Sequence, residues 1–294
     1  MPETTNSPSA NSLPSQNIIA LVYDFDGTLS PQPMQEYTVL PKLGIDPQSF
    51  WKKVTDEAQQ TETEAMLVYM RHLTEAIEDK KIKINREDFT AMGRMVKYFQ
   101  GVEDWFERIN RFVESISRDQ TIEVRHYVIS AGLKEILDGV SIAPHFHKMF
   151  ASEYHYNYLE APVFPKLLIT DTNKTQFLFR INKGVEDLRG QINDHMPNEQ
   201  RPVPFSNMVY IGDGLTDVPS MAVVKQNGGH ALAVYNDQDS QRLSATLGTC
   251  KSLLKANRID FFAAANYAQD SELERLMKLI LEYTVTRIRF NQTV

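Results

Sequence analysis

The sequence predicts an α/β fold in which a parallel sheet carries helices on both faces and a helical cap domain is inserted into the chain. Three observations support this prediction. Nearly continuous apolar runs recur along the chain, helical patterns follow some of them, and a long segment after the first run has helical periodicity with few strand signals. Continuous apolar runs are typical of strands buried on both faces, as in parallel sheets.

Four apolar runs are the predicted strands of this sheet. The first covers Ile18 to Tyr23, the second ends at Ser130, the third ends near Asp213, and the fourth covers residues 231–235. Helical patterns follow the second and third runs. This alternation predicts a Rossmann-like core, in which ligands bind at the carboxyl ends of the strands. The polar residues that follow the strands are therefore the candidates for a functional site.

The domain prediction follows from where these patterns change. Residues 1–16 are rich in Ser, Pro, Thr and Asn, and we expect a disordered tail because they cannot bury enough apolar surface to offset their ordering entropy. Residues 17–30 and 122–294 are predicted to form the Rossmann-like core. Residues 31–121 are predicted to form the helical cap domain. Within the core, alternating aromatic and polar residues over 146–170 predict a β-hairpin or flap.

The composition gives expectations about partners and location. The chain has 31 basic and 38 acidic residues and a net charge of −7, so we expect no nucleic-acid partner. A single cysteine, Cys250, cannot form an intramolecular disulfide, which favours a reducing compartment such as the cytoplasm. No run approaches the roughly 20 apolar residues that span a bilayer, and the polar start lacks a signal core. We therefore expect a soluble protein with no membrane partner.

The most specific motif is Asp24-Phe25-Asp26-Gly27-Thr28, at the point where the first strand gives way to a loop. Residues two apart on an extended chain point the same way, so Asp24 and Asp26 can face one pocket. Gly27 permits a sharp turn, and Thr28 can offer its hydroxyl or amide to an anion. Taken alone, the motif could equally be an Asp-Gly turn that closes a strand.

Two other strand ends carry groups suited to phosphate chemistry. Ser130-Ala131-Gly132 puts a hydroxyl and backbone amides ahead of a helix, where an anion can bind, although a serine helix cap has the same pattern. Gly212-Asp213-Gly214-Leu215-Thr216-Asp217 brings two more carboxylates to a strand end, or forms a glycine-rich turn with a helix cap. Four carboxylates around a phosphate would repel it, so the site needs a cation. Mg²⁺ fits because it is a hard ion with oxygen ligands.

In their order along the chain, these motifs resemble those of the haloacid dehalogenase superfamily, which are a DxDGT-like strand end, a serine or threonine, a lysine, and a GDxxxD-like strand end. The insertion after the first motif resembles the branch that includes the phosphoserine phosphatases. The four matches are Asp24-Phe25-Asp26-Gly27-Thr28, Ile129-Ser130-Ala131-Gly132, Asn173-Lys174-Thr175 and Gly212-Asp213-Gly214-Leu215-Thr216-Asp217.

The lysine is the weakest of the four matches, because most lysines are solvated surface cations. Lys174 lies between the second and fourth motifs, and Lys183 and Lys166 compete with it. A helix predicted to begin near Asn173 would carry Lys174 in its first turn and Lys183 farther along.

The resemblance implies a role for each acidic residue. Asp24 would attack phosphorus and form an aspartyl-phosphate, and Asp26 would act as the acid and base. Mg²⁺ would bind the Asp24 carboxylate, the backbone carbonyl of Asp26 and Asp213, with Asp217 supporting the metal directly or through water.

The phosphoryl group would be bound by the remaining candidates. Ser130, with the backbone at Ala131, and Thr28 would hydrogen-bond its oxygens. Lys174 would neutralise charge on the nucleophile and on the phosphoryl oxygens.

The resulting functional prediction is a magnesium-dependent phosphatase that hydrolyses a small-molecule phosphomonoester through an aspartyl-phosphate. The alternatives are a phosphomutase of the same superfamily and a catalytically silent binding protein on this fold. The resemblance disfavours a dehalogenase, because Asp26 followed by Gly27-Thr28 matches the phosphotransfer pattern. A long lid favours a small phosphorylated metabolite over a protein surface. Six residues of the insertion are candidate substrate contacts, although each could instead be a core aromatic or a solvated helix residue: Tyr37, Trp51, Arg71, His72, Arg94 and Lys97.

Overall fold

The computed structural model describes residues 13–118, 121–241 and 243–293. A disordered tail is predicted for residues 1–16, and residues 1–12 of it lie outside the described residues. At the end of that segment Gln16 is described, and its side chain donates hydrogen bonds to the carbonyls of Asn198 and Arg201.

One mixed sheet forms the centre of the described chain, in the order β4-β3-β2-β1-β5-β6-β7. All neighbouring strands are parallel except β3 and β4, which are antiparallel. The α/β prediction is therefore confirmed. The strands of the described residues are β1 (Ile18–Tyr23), β2 (Glu123–Leu133), β3 (Phe146–Tyr156), β4 (Pro162–Leu167), β5 (Met208–Gly212), β6 (His230–Tyr235) and β7 (Phe261–Ala264).

The four predicted strands correspond to β1, β2, β5 and β6. The predicted hairpin is present as β3 and β4, but β3 also pairs in parallel with β2. The hairpin therefore extends the sheet instead of standing apart from it.

Helices lie between successive strands, except between β3 and β4, and after the last strand. No helix among the described residues combines the length and the apolar character needed to cross a membrane. The α-helices of the described residues are α1 (Met34–Tyr37), α2 (Val39–Lys42), α3 (Pro47–Thr61), α4 (Ala65–Asp79), α5 (Arg86–Met92), α6 (Val102–Ser117), α7 (Lys134–Leu137), α8 (Lys174–Lys183), α9 (Val218–Gln226), α10 (Leu243–Lys255) and α11 (Glu272–Thr293).

Both faces of the sheet are buried, which explains the continuous apolar run of the central strand β1. Alternate side chains belong to two separate cores: Leu21 and Tyr23 face one, and Ala20 and Val22 face the other. When successive side chains face two apolar layers in turn, every position of the strand is apolar. The sequence of such a strand therefore lacks the two-residue periodicity of a half-exposed strand.

One of the helices between β1 and β2, α6, packs against the sheet. Helix α6 packs against β2 and α11, and Trp105 on α6 donates a 2.9 Å hydrogen bond to the hydroxyl of Tyr23 on β1. This helix covers the sheet. The boundaries of a cap domain over 31–121 stay a prediction, and the packing of α6 favours an end of the insertion before Gly101.

Candidate active site

The register of the three central strands brings their carboxyl ends together. Tyr23, the last residue of β1, is level with Val128 on β2 and with Ile211 on β5. The backbone amide of Asp24 continues the ladder with a 2.9 Å bond to the Ile211 carbonyl. Parallel strands have their carboxyl ends at one edge, so the residues that follow β1 and β5 share one site with the last residues of β2.

Three aspartates form a cluster at this edge. Carboxylate oxygens of Asp24, Asp213 and Asp217 lie within 4.8 Å of one another. Asp24 and Asp217 are buried, and Oδ2 of Asp217 has no hydrogen-bond partner among the described residues. Buried polar atoms are normally paired, so an unpaired carboxylate oxygen beside two further carboxylates is a candidate ligand for a cation.

Lys174 connects two members of this cluster. It lies in the first turn of α8, and its Nζ is 3.0 Å from Oδ1 of Asp24 and 2.8 Å from Oδ1 of Asp217. The side chain is 2% exposed, so water screens these two ion pairs very little. The competing lysines lie elsewhere: Lys183 donates to the carbonyls of Ile192 and Asp194, and Lys166 pairs with Glu153 on β3.

Asp26 and Gly27 form the turn that closes the site. Oδ1 of Asp26 accepts a 2.9 Å hydrogen bond from the backbone amide of Met34, at the start of α1. Gly27 has φ +81°, and a β-carbon there would overlap the Asp213 carboxylate. Position 27 therefore requires glycine for two reasons: the backbone is left-handed, and Asp213 occupies the space of a side chain.

The predicted phosphate-binding residues lie at the same edge. Thr28 is fully buried, its Oγ1 has no hydrogen-bond partner among the described residues, and its carbonyl accepts from the hydroxyl of Tyr267. Oγ of Ser130 accepts a 2.9 Å bond from the amide of Gly132. The ladder between β2 and β3 shifts register between Ser130 and Leu133, so Ala131 and Gly132 leave regular pairing at this point. A free hydroxyl and a locally released backbone are suited to binding an anion.

Burial raises the pKa of three carboxyl groups at the site. It raises the pKa of Asp24 to about 6, a rise that Lys174 opposes and Asp217 increases. Burial, then the charges of Asp24 and Asp217, raises the pKa of Asp213 to about 8. Burial and the charge of Asp24 raise the pKa of Asp26 well above its ordinary range.

The pKa of Lys174 shifts in the direction that favours its charged form. Burial acts to lower the pKa of Lys174, but the surrounding negative charges, Asp24 first, outweigh burial and raise this pKa above its usual value. Among the described residues at this edge, Lys174 is the ammonium group that pairs with the aspartate cluster, and a further positive charge would favour the ionised forms of Asp24, Asp26 and Asp213.

Tyr210 is a site residue that the sequence did not indicate. It lies within the apolar run of β5, is fully buried, and donates a 2.6 Å hydrogen bond to Oδ1 of Asp217. Burial and the Asp217 charge raise the pKa of Tyr210, which keeps the hydroxyl protonated as a donor. The sequence signal that could have identified Tyr210 is its hydroxyl on an otherwise apolar strand, because a buried tyrosine hydroxyl normally finds a hydrogen-bond partner.

Comparisons with known proteins give one sequence relative and several structures. No family model matches the chain. An uncharacterized protein of Borreliella burgdorferi is 28% identical over 283 residues, which cover 88% of this chain and 94% of that protein. Its sequence is similar over nearly the whole length, but its name carries no function.

Solved structures resemble the chain in fold at low sequence identity. A HAD family hydrolase from Salmonella enterica serovar Typhi has a TM-score of 0.57 and 14% identity, covering 92% of this chain and 73% of that one. A phosphoserine phosphatase, solved as a phospho-aspartyl intermediate analogue, has a TM-score of 0.53 and 14% identity, covering 89% and 98%. A probable phosphoserine phosphatase from Vibrio cholerae has a TM-score of 0.52 and 11% identity, covering 94% and 68%.

Proposed function

We propose that this chain, whose fold is that of the haloacid dehalogenase-like hydrolases and of phosphoserine phosphatases among them, is a magnesium-dependent phosphatase that acts through an aspartyl-phosphate on Asp24. One observation carries the proposal: the buried Lys174 ammonium joins Asp24 to Asp217, within a cluster that also contains Asp213. A nucleophilic carboxylate, a fixed cation and a cluster of further carboxylates are the groups that phosphoryl transfer requires.

A divalent cation fits the residues present. The three clustered aspartates offer oxygen ligands, the Oδ2 atom of Asp217 is unpaired among the described residues, and one lysine does not balance the surrounding carboxylates. Asp24, Asp213 and the backbone carbonyl of Asp26 would hold Mg²⁺, with Asp217 in support. When bound, the ion supplies positive charge that offsets repulsion between these carboxylates and the phosphoryl group.

The first half of the proposed reaction is carried by Asp24 and Asp26. A carboxylate oxygen of Asp24 attacks phosphorus and the bond from phosphorus to the alcohol oxygen breaks, which leaves an aspartyl-phosphate. Lys174 bonds Oδ1 of Asp24 and so fixes the orientation of the nucleophile. Burial and the charge of Asp24 raise the pKa of Asp26, and this favours the protonated form that can give its proton to the departing alcohol.

The second half regenerates the enzyme. Asp26, now ionised, takes a proton from a water molecule, whose oxygen attacks phosphorus and releases phosphate from Asp24. Throughout both steps the phosphoryl oxygens would be bound by the hydroxyls of Thr28 and Ser130 and by Lys174. Splitting the hydrolysis into two displacements lowers the barrier of each, because the same bound groups stabilise both transition states.

The proposed substrate class is a small phosphorylated metabolite. Support comes from the helices α1 to α5. They follow the loop after β1 that carries Asp24 and Asp26, and α1 begins with a backbone amide bonded to Asp26. Helices so close to the loop would enclose the alcohol part of a small ester and exclude water from the reacting phosphorus.

The test is phosphate release from p-nitrophenyl phosphate by the purified chain. We expect activity that requires Mg²⁺, is abolished by EDTA and falls at least about 10³-fold in Asp24→Asn. In Asp26→Asn, hydrolysis of an alkyl phosphate should fall more than hydrolysis of the aryl ester, because an alkoxide needs the proton more. Metal-independent activity that survives Asp24→Asn would refute the mechanism, and isomerisation of a sugar phosphate without phosphate release would identify a mutase.

A further inference from the structure

The carboxyl group of Asp26 is bonded to a residue outside the loop that carries it. Its Oδ1 atom accepts a 2.9 Å hydrogen bond from the backbone amide of Met34, the first residue of α1. The first amides of a helix have no partner within the helix, so this amide is free to donate to a side chain. The orientation of the Asp26 carboxyl group therefore depends on the position of α1.

Helix α1 cannot hold this position by itself. It has four residues, Met34–Tyr37, and a helix of one turn is not stable in water without tertiary packing. Pro33 precedes it at the N-cap position and gives it no side-chain cap bond. The contacts of α1 with other elements must therefore fix the helix.

One of these contacts is with the end of β2. A β-carbon at Gly132 would overlap the side chain of Met34 and would lie 3.2 Å from Oδ2 of Asp26. Gly132 thus leaves room for Met34 and for the acid at the same place. Met34 packs closely against the strand end that also carries Ser130.

A second contact joins α1 to α4. Gln35 is 2% exposed, and its Nε2 atom donates a 2.8 Å hydrogen bond to the hydroxyl of Tyr69. Its Oε1 atom has no hydrogen-bond partner among the described residues. Within the part of the chain that the structure describes, the bond to Tyr69 is therefore what fixes the buried carboxamide.

Tyr69 is itself held firmly on α4. It is fully buried, and its ring packs against Phe50 and Trp51 on α3, at 6.3 and 5.4 Å between ring centroids. Burial raises the pKa of Tyr69, and the charge of Asp26 adds to this rise, so the hydroxyl stays protonated and lies near the acid. The phenol is a rigid anchor point for the side chain of Gln35.

We propose that Gln35 and Tyr69 are positioning residues for the proton transfer to the leaving alcohol. Their hydrogen bond fixes α1 against α4, and α1 in turn fixes the Asp26 carboxyl group through the amide of Met34. The inference rests on the proposed function, since it concerns the proton that Asp26 gives to the alcohol. Loss of the bond would misalign the proton donor without removing it, and a shift of roughly 1 Å at a reacting group can cost up to ~10²-fold in rate.

A comparison of two esters tests the proposal in Tyr69→Phe, which removes the hydroxyl and keeps the ring. The value of kcat/KM covers the steps up to the aspartyl-phosphate, in which ethyl phosphate needs the proton and p-nitrophenyl phosphate hardly does. We expect kcat/KM to fall about tenfold for ethyl phosphate and less than about twofold for p-nitrophenyl phosphate. An equal fall for both esters would overturn the positioning role and leave the phosphatase itself intact.

Matched variants separate this bond from general stability. Gln35→Met keeps the length of the side chain and should reproduce the effect of Tyr69→Phe. The double variant should lose no more than either single variant, because both substitutions remove the same bond. Tyr154→Phe is the control: Tyr154 is fully buried, and its hydroxyl donates a 2.7 Å bond to the carbonyl of Met70, also on α4. Additive losses in the double variant, or an equal loss of selectivity in Tyr154→Phe, would contradict the proposal.

Amide hydrogen exchange at Met34 gives a readout that needs no activity. Exchange should be about tenfold faster in Tyr69→Phe than in the wild-type chain, and unchanged in Tyr154→Phe. If Tyr69→Phe does not fold, Gln35→Met takes its place in this measurement. If the wild-type chain hydrolyses neither ester, the proposed function fails, and exchange still decides whether the bond holds α1. Unchanged exchange at Met34 would refute the positioning role.

Discussion

Gly27, in the loop over 24–30 that follows β1, occupies a position where a β-carbon would overlap the carboxylate of Asp213. The two residues lie far apart in the sequence, after β1 and after β5, and come together because these strands are neighbours. The space left by the missing side chain thus sets the position of a proposed metal ligand.

Gly27→Ala should therefore weaken metal binding more than it weakens the fold. The substitution displaces Asp213, and we expect the Mg²⁺ concentration for half-maximal activity to rise at least tenfold. Gly44→Ala is the matched control, because Gly44 also has a positive φ, +62°, but a β-carbon there meets nothing within 4 Å. Both variants should lose about 1–2 kcal/mol of unfolding free energy through backbone strain. An unchanged Mg²⁺ requirement in Gly27→Ala would show that Asp213 does not bind the ion.

Lys174→Met should destabilise the protein by about 3–5 kcal/mol in urea unfolding without metal, because it leaves Asp24 and Asp217 buried without their cation. Added Mg²⁺ should recover part of this loss. Phosphatase activity should disappear. Lys183→Met is the control on the same helix: it removes bonds to two surface carbonyls, so activity should be unchanged. Full activity of Lys174→Met would remove the lysine from the mechanism.

The stability of the metal-free protein should fall as the pH rises from about 4 to 8. Burial, with Asp24 and Asp217, raises the pKa of Asp213 from 3.8 to about 8. Within this window the folded state therefore keeps a proton that the unfolded state releases, and each increment of pH favours unfolding. Asp24, whose pKa burial raises to about 6, acts in the same direction.

Thermal unfolding in EDTA tests this pH dependence. Asp213→Asn should flatten it and raise Tm at pH 8 by a few degrees, since about 1 kcal/mol corresponds to ~2–4 °C in a domain of 150–250 residues. Asp56→Asn, at a half-exposed carboxylate that is paired with Lys52 on α3, is the control variant. Stability that increases with pH across this window would be the contrary result.

Tyr210→Phe should lower both stability and activity. The substitution keeps the ring but removes the 2.6 Å hydrogen bond to Asp217, at a cost of about 1–3 kcal/mol for a bond to a charged acceptor. Among the described residues Asp217 then keeps only its bond with Lys174, and we expect kcat to fall severalfold with little change in KM. Tyr127→Phe is the control, a buried β2 tyrosine that donates to Glu186 instead. It should lose stability and keep its kcat. Equal kcat values for the two variants would exclude a role for Tyr210 in positioning Asp217.

The sequence by itself determined the sheet and the positions of the polar motifs. Apolar runs of strand length and the residues that end them are local patterns, and β1, β2, β5 and β6 appear where those runs predict them, although β2 continues past Ser130 to Leu133. Strand β7 was missed, because its four residues, Phe261–Ala264, are too few to give a pattern. The hairpin was foreseen as a flap, although β3 completes the sheet beside β2.

The tertiary structure decided which side chains meet. Periodicity ranks Lys174 and Lys183 by their place on one helix, but only the packing of α8 shows that Lys174 lies between Asp24 and Asp217. The contact of Gly27 with Asp213 likewise joins segments that are far apart in the chain. The bond from Tyr210 to Asp217 involves a residue that lies within an apolar run. Local patterns specify where a strand ends, whereas burial and distance depend on which strands become neighbours.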